Sequence, residues 1–282
     1  MRVILSRKGF DSGYGKCPSP IMPDGTLLSL PIPDEEDKIR FSNLTHHGKS
    51  YLDIITELKP GAGLTEQSTC HLDPDLRSAS LQRGEGWLPL FGQCGAAGGH
   101  LENQKVQPGD LFLFFGWFRE TELKNKKLRY VAKAPPKHVI FGYLQIGKVH
   151  RHPDFPSSVR YHPHTMEYLR AQPKNRIYEA GTELSFAPGL PGAGCFNYST
   201  QLVLTREGHP RSRWQLPPIF QDVHITYHSD RSFRDGYFQS AAKGQEFVIQ
   251  HNDGIAAWAE NLVAQHAQNH INQPLCAFQE TS

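Results

Sequence analysis

The chain has 282 residues, which is enough for one or two domains and for a hydrophobic core that needs no disulfide or structural metal. Its 30 basic and 28 acidic residues leave a net charge of +2, which excludes a strongly basic nucleic-acid coat and an acidic tail protein. The 25 glycines and 21 prolines exceed average usage, so many turns and short elements are expected rather than a helical bundle. Fifteen histidines allow metal or acid–base chemistry.

Membrane and secreted classes are not favoured. The longest aromatic-apolar run, residues 111–118, is interrupted by Gly116 and is much shorter than the roughly 20 apolar residues of a membrane-spanning helix. The first residues lack the apolar run of a signal peptide. The number of cysteines, 5, is odd and no CxxC pair occurs, which is typical of a reducing compartment. We therefore expect a cytoplasmic protein without a membrane partner.

Apolar patterning predicts short strands, with one helix early and one late in the chain. Pro60 ends the first helix, and Ile255, Trp258 and Leu262 form the apolar face of the second. A charged connection at 119–137 separates two aromatic strands. The predicted strands are 3–5, 27–33, 111–115, 139–146, 201–205 and 246–249, and the predicted helices are 51–58 and 255–266. We expect one α+β domain over residues 1–282, rich in strands, with an aromatic and basic sub-region at 106–150.

The charge is concentrated in one segment. Residues 119–151 carry a net charge of +7, which leaves −5 for the remainder of the chain. Basic side chains beside aromatic faces suit a phosphate backbone and stacked bases. The candidates are Arg119, Lys124, Lys126 and Lys127 for phosphates, and Trp117, Phe118 and Tyr143 for stacking. The alternative is a solvated charged loop over a buried pair of aromatic strands.

The sharpest local cluster is the string His-Leu-Asp-Pro-Asp at 71–75. In an extended segment, Asp73 and Asp75 can point to the same side and bind Mg²⁺ or Mn²⁺ between the protein and a phosphate. His71 can then serve as a ligand or a base. The alternative is a turn around Pro74, in which each aspartate bonds the backbone.

Polar side chains in glycine- or proline-rich loops complete the candidate set. A glycine-rich loop after a strand lets the backbone approach a phosphate, amides pair with nucleobase edges, and a histidine can act as a base. The candidates are Lys8, Asp11 and Ser12 after the first strand, Gln93 in a glycine-rich segment, His164 in a His-Pro-His string, and Gln245 and Glu246 before a late strand. An ordinary turn is the alternative at each position.

Several strings, in order along nearly the whole chain, resemble the third of the nucleotide-modification-associated domain families. They are SRKGFDS at 6–12, PSPI at 18–21, PDG at 23–25, HLDPD at 71–75, GQ at 92–93, GDLFLFFGWF at 109–118, FGY at 141–143, HPH at 162–164 and GQEFV at 244–248. The resemblance implies a phage or bacterial system that alters DNA bases. It implies DNA or a nucleotide as partner, together with other components of such a system, and it does not fix a reaction. Residues 106–150 also resemble small PUA-like β-barrels that hold modified bases.

Two functions fit these features. The first is an enzyme, a transferase or hydrolase, that acts on a nucleobase, a nucleotide or modified DNA. Its polar centre would comprise Asp11, His71, Asp73, Asp75, His164 and Glu246. The second is a non-catalytic reader that binds modified DNA through a PUA-like aromatic and basic surface.

Overall fold

Strands dominate the structure, and most of them are short. The computed structural model describes residues 1–271. The strands are β1 (Val3–Arg7), β2 (Ser19–Ile21), β3 (Ile32–Pro33), β4 (Thr45–His46), β5 (Lys49–Ser50), β6 (Cys70–His71), β7 (Leu90–Gln93), β8 (Leu111–Lys124), β9 (Lys127–Tyr130), β10 (Lys137–Arg151), β11 (Arg176–Ala180), β12 (Glu183–Leu184), β13 (Ala187–Pro191), β14 (Ala193–Cys195), β15 (Arg213–Trp214), β16 (Phe233–Arg234), β17 (Tyr237–Gln239) and β18 (Glu246–Val248).

Helices are few, and only one of them is long. The α-helices are α1 (Tyr51–Leu58), α2 (Gly95–Asn103), α3 (Glu167–Arg170) and α4 (Asp253–Ile271). Single 3₁₀ turns lie at Ser78–Ser80, Ser157–Val159, Pro163–Thr165, Thr200–Leu202, Pro218–Phe220 and Asp230–Ser232. Within residues 1–271, no helix combines the length and the apolar character needed to cross a membrane. The predicted α+β class, rich in strands with short helices, is confirmed.

One nine-stranded sheet organises the fold. Its strands follow the order β18-β1-β8-β10-β11-β7, while β2 and β9 pair with β8 and β14 pairs with β10. β1 and β2 run parallel to β8, and the other pairs are antiparallel. The apolar run at 111–115 is buried throughout, because both faces of β8 are covered. The first strand of the chain is an interior strand of the sheet, between β18 and β8.

The two largest clusters of buried apolar side chains form two hydrophobic cores. The larger core covers the sheet and includes Phe112, Phe114 and Phe91. The second core surrounds α1 and includes Ile54 and Cys70. Cys70 immediately precedes His71, so the second core positions a segment that the sheet does not contain.

Several predicted elements are confirmed, and their local causes are visible. The helix predicted at 51–58 has the same bounds, and the Ser50 hydroxyl caps it by accepting a 3.0 Å hydrogen bond from the Asp53 amide. The strand at 3–5 extends to Arg7, and the strand at 246–249 is β18. The late helix begins at Asp253, two residues before the predicted start.

Other predicted elements are wrong. Of residues 201–205, the first two belong to a 3₁₀ turn at Thr200–Leu202, where the Ser199 hydroxyl accepts a hydrogen bond from the Gln201 amide, and Val203 and Thr205 make single β-bridges. The charged connection at 119–137 is largely strand, since β8 continues to Lys124 and pairs with β9. Only Ile32–Pro33 of the edge strand at 27–33 is a strand.

The expected PUA-like β-barrel element is also wrong. Residues 106–150 form the pair of long strands β8 and β10 together with β9, and they lie inside the nine-stranded sheet. Over residues 1–271, the sheet does not close into a barrel. The pairing of β1 with β8, on the side away from β10, explains this, because it extends the sheet beyond the segment that the resemblance covered.

The buried His138 predicts a pH dependence of folding. Its Nδ1 accepts a 3.0 Å hydrogen bond from the indole N–H of Trp214, and burial lowers the pKa of His138 to about 3. The unfolded chain takes up a proton below about pH 6.5, whereas the folded chain does not. Stability is therefore lost as the pH falls from about 6.5 towards 3. We expect His138→Gln, which keeps an acceptor for Trp214, to reduce this loss by up to about 1.4 kcal/mol per pH unit.

Denaturant unfolding between pH 5 and pH 7 measures this slope. His251→Gln, at an exposed position, controls for the substitution itself. Equal slopes for wild type and His138→Gln would contradict the assignment of His138 as a neutral buried side chain.

Candidate functional site

A cavity of about 400 Å³ opens between the two cores. Its walls come from the loop after β1, from β6 and the loop behind it, from the end of β7, from the 3₁₀ turn at Pro163–Thr165 and from the loop before β18. The polar side chains around it include those of Lys8, His71, Asp73, Gln93, His164 and Gln245. Asp11 also lines the cavity, so the structure brings together seven of the residues that the sequence singled out.

The carboxylate of Asp73 is the most buried charge of this cavity, with 5% of its side chain exposed. Oδ1 accepts hydrogen bonds from the Gly92 amide at 2.8 Å and from His162 Nε2 at 3.2 Å. His162 can donate from Nε2 because its Nδ1 accepts from the amide of His164. Burial disfavours the ionised carboxylate, but the hydrogen bond from His162 and the surrounding positive charge, including that of Lys8, hold the pKa of Asp73 well below its usual range.

Two histidines face the other oxygen of Asp73. His71 Nε2 lies 3.9 Å and His164 Nε2 lies 4.0 Å from Asp73 Oδ2. Both distances exceed the length of a hydrogen bond. Asp73 Oδ2 and the two Nε2 atoms therefore face one another without bonding directly.

The far side of each imidazole is held by an acceptor. His71 Nδ1 lies 2.7 Å from Asp37 Oδ2, and His164 Nδ1 lies 2.8 Å from Asn175 Oδ1. The Asn175 amide donates to the carbonyls of His164 and Leu169, which fixes its oxygen towards the ring. Each Nδ1 must therefore carry the proton, and each Nε2 has a lone pair when its ring is neutral.

The ionisation of the two histidines differs. Burial lowers the pKa of His164 to about 3. Burial also opposes the charged form of His71, but the hydrogen bond to Asp37 and the nearby carboxylates outweigh it and raise the pKa of His71. His164 is therefore neutral at physiological pH.

The opposite wall is held by a buried ion pair. Lys8 Nζ lies 2.9 Å from Glu246 Oε1, with 8% and 1% of the two side chains exposed. The same oxygen accepts a 2.7 Å hydrogen bond from Gln93 Nε2, which also donates to Gln245 Oε1. Lys8 Nζ lies 4.4 Å from the centre of the Phe91 ring. These contacts fix the two glutamines at the edge of the cavity.

A second cavity of about 310 Å³ adjoins the first and shares Arg7, Lys8 and Asp11 with it. The guanidinium of Arg211 lies 4.2 Å from the centre of the Trp117 ring in its wall. Two buried donors, Arg7 Nε and Trp117 Nε1, have no hydrogen-bond acceptor among the described residues. Unpaired donors and two guanidinium groups suit an anion.

Asp11 and Ser12 lie between these cavities but are already bonded. Asp11 Oδ1 accepts from the amides of Gly13 and Tyr14, both at 2.7 Å, which is the turn that the sequence left as the alternative. Ser12 Oγ accepts a 3.0 Å hydrogen bond from Arg211. Both residues shape the loop, and Asp11 also faces both cavities.

Asp75 lies apart from Asp73. The guanidinium of Arg83 binds both of its oxygens, at 2.5 and 2.7 Å, and Trp87 Nε1 lies 3.3 Å away. Asp75 does not line the cavity that contains Asp73. The two carboxylates therefore do not face one ion in this structure, although the sequence spacing allows it.

The basic and aromatic candidates of residues 117–143 also lie away from the cavity. Lys124, Lys126 and Lys127 are exposed at the turn between β8 and β9. Arg119 packs over the Tyr130 ring and donates to a backbone carbonyl. Phe118 and Tyr143 are 0% and 1% exposed, so neither presents a face for stacking. Trp117 is the one member of that aromatic set that lines a described cavity.

The sequence does not reveal several residues of the site. Asp37 belongs to an acidic stretch at 34–37 that is typical of a solvated turn. Asn175 and Arg211 stand in no recognisable motif. The His-Pro-His string predicts a rigid turn at His162, and the hydrogen bond of His162 to Asp73 depends on tertiary structure.

Three groups of side chains can hold a metal ion among the described residues. They are Asp24, His46 and His47 near the surface, Asp34, Asp37 and His71, and the set of His71, Asp73 and His164. In the second group, Asp37 already bonds the protonated nitrogen of His71. The third group lines the larger of the two cavities described above.

A substitution at Gly92 tests the close packing of β7 against the His164 ring. A Cβ at this position would overlap the His164 ring. We expect Gly92→Ala to displace the ring or the strand and to lower the free energy of unfolding by about 1–3 kcal/mol. Gly84→Ala is the matched control, because a Cβ there has open space. Equal unfolding midpoints in urea for the two variants would contradict this account of the site.

The comparison with known proteins identifies the family of the chain. Residues 2–250 match the model of nucleotide modification associated domain 3, and this range includes every residue of the cavity. No curated protein and no solved structure matches the chain. The chain belongs to the nucleotide modification associated domain 3 family.

Proposed function

We propose that the cavity around Asp73 is the active site of an enzyme that modifies a nucleotide or a base in DNA. The observation that carries the proposal is the convergence of Asp73 Oδ2 with the Nε2 atoms of His71 and His164. Each of these side chains is held by a partner on its far side. Side chains in a cleft whose pKa values are strongly shifted by burial and by specific neighbours, as those of Asp73 and His164 are, are typical of functional sites. The family supplies the nucleotide-modification context.

The two adjoining cavities support a nucleotide as substrate. Together they offer room of the order that small-molecule sites use. Gln93 and Gln245 line the first cavity; because Gln93 Nε2 already donates to Gln245 and Glu246, the Gln245 amide nitrogen is the group that can donate to the edge of a base. The guanidinium groups of Arg7 and Arg211 line the second, where they can hold a phosphate.

A reader of modified DNA is the second candidate. The exposed lysines at the turn between β8 and β9 favour it, because they can contact a phosphate backbone. The burial of Phe118 and Tyr143 weighs against it, because a stacked base needs an open aromatic face. The enzyme is therefore the better-supported function.

The nucleoside composition of cells tests the proposal. The gene is deleted in the organism that encodes it and restored as wild type or as Asp73→Asn, which keeps an acceptor for Gly92. DNA and the nucleotide pool are digested to nucleosides and compared by mass spectrometry. We expect a nucleoside of altered mass with wild type, its loss with Asp73→Asn and at least about a tenfold reduction with Arg211→Gln, since removing a charged contact costs 1.5–3 kcal/mol.

Arg129→Gln is the matched control, because Arg129 is exposed on β9 and pairs with Glu122 away from both cavities. Its nucleoside profile should equal that of wild type. Identical profiles for wild type and Asp73→Asn would contradict the enzyme. Selective binding of modified over unmodified DNA without any change in nucleosides would favour the reader.

A further inference from the structure

We infer that His71 Nε2, Asp73 Oδ2 and His164 Nε2 form the binding site of one divalent first-row transition-metal ion. Among the described residues, these three atoms lie within 4.8 Å of one another at the cavity. Two imidazole nitrogens and one carboxylate oxygen are a donor set typical of iron, zinc, cobalt and manganese. The inference deepens the proposed function and rests on it only for the use of the ion in a reaction.

The spacing of the three atoms fits an ion better than a hydrogen-bonded cluster. Asp73 Oδ2 lies 3.9 and 4.0 Å from the two nitrogens, which is too far for direct hydrogen bonds. Metal bonds of about 2.0–2.2 Å place neighbouring ligand atoms roughly 3–3.5 Å apart. Side-chain movements of several tenths of an ångström would therefore complete the coordination.

The outer contacts orient all three ligands. Ligating histidines typically donate their other N–H to a carboxylate or a carbonyl oxygen, and Asp37 and Asn175 accept these bonds here. Asp73 Oδ1, which is not one of the three proposed ligand atoms, accepts hydrogen bonds from the Gly92 amide and from His162. The atoms of these side chains that the outer contacts leave available are Asp73 Oδ2, His71 Nε2 and His164 Nε2, which face one another. A structural hydrogen-bond network would instead join them.

Charge and access agree with this assignment. Histidines that bind a metal through Nε2 are neutral, so the bound ligand set of two imidazoles and one carboxylate carries a single negative charge, and a divalent ion leaves the centre with one positive charge. The three proposed ligands line the cavity, so coordination positions of the ion that the protein does not fill stay available to water or substrate. A net positive centre in the cavity that Arg7 also lines suits an anionic nucleotide. Magnesium, which prefers oxygen ligands, fits poorly.

Cobalt titration of the full chain tests the site. The protein is stripped with a chelator and titrated with Co²⁺ by calorimetry and visible absorption, without any nucleotide. We expect one ion per chain, displacement by Zn²⁺ and no displacement by millimolar Mg²⁺. His71→Gln, Asp73→Asn and His164→Gln should each weaken binding at least about 100-fold, since loss of an outer contact alone weakens affinity by 10- to 100-fold.

His46→Gln is the matched control, because it removes a ligand of the separate Asp24, His46 and His47 group. Binding that is lost with His46→Gln and kept with Asp73→Asn would overturn the inference, and so would the absence of binding to wild type. Because a buried variant can lose stability, the wild-type chain is also followed by imidazole ¹⁵N NMR. We expect Zn²⁺ to shift two Nε2 resonances, and unchanged resonances would contradict the site.

The outcomes separate this inference from the proposed function. Metal bound at the three ligands, with nucleosides unchanged by Asp73→Asn, keeps the metal site and rejects the enzyme. If the nucleoside composition depends on Asp73 but the protein binds no metal, the proposed enzymatic function is supported and the metal site is rejected.

Discussion

The buried carboxylate of Asp73 is the constraint on which the site depends. A charge with 5% of its side chain exposed must be compensated inside the protein, and the Gly92 amide and His162 do this. Removing one partner of a buried charge costs about 3–5 kcal/mol. The position of Asp73 therefore ties the end of the sheet at β7 to the 3₁₀ turn at Pro163–Thr165. Each of those segments in turn positions a further polar side chain, Gln93 in the first and His164 in the second.

The site is assembled from segments that neither core contains by itself. The sheet positions Lys8 after β1, Gln93 at the end of β7 and Glu246 at the start of β18, where they bond one another. The second core, around α1, carries β6 and therefore His71. The cavity is the space that remains where these two parts meet, which is why its residues are so widely spaced in the sequence. A shift of either part would change the separation of His71 from His164.

Local physics accounts for what the sequence predicts well. The helix at 51–58 follows from its apolar spacing and its serine cap, and the buried strands β1 and β8 follow from continuous apolar runs. His71, Asp73 and His164 stand out because metal-binding and acid–base side chains are clustered in the strings HLDPD and HPH. Strand pairing, by contrast, is not local. It converts the charged connection at 119–137 into strand and buries Phe118 and Tyr143.

Partners that are distant in sequence decide the roles of individual residues. Asp73 and Asp75 are equivalent in the sequence, but Asp75 pairs with Arg83, whereas Asp73 accepts hydrogen bonds from Gly92 and His162. Asp37 and Asn175 orient the two histidines across 34 and 11 residues of chain, and neither lies in a motif. Arg211 likewise joins the loop after β1 from a distance of 199 residues. Such pairings become visible only when the chain is folded.

The most direct test of the site is anomalous diffraction from crystals of the full chain soaked with Co²⁺, recorded on both sides of the cobalt absorption edge. We expect one strong peak in the cavity, roughly 2.0–2.2 Å from His71 Nε2, Asp73 Oδ2 and His164 Nε2. A peak only at Asp24, His46 and His47, or an empty centre with the three side chains well ordered, would contradict the account.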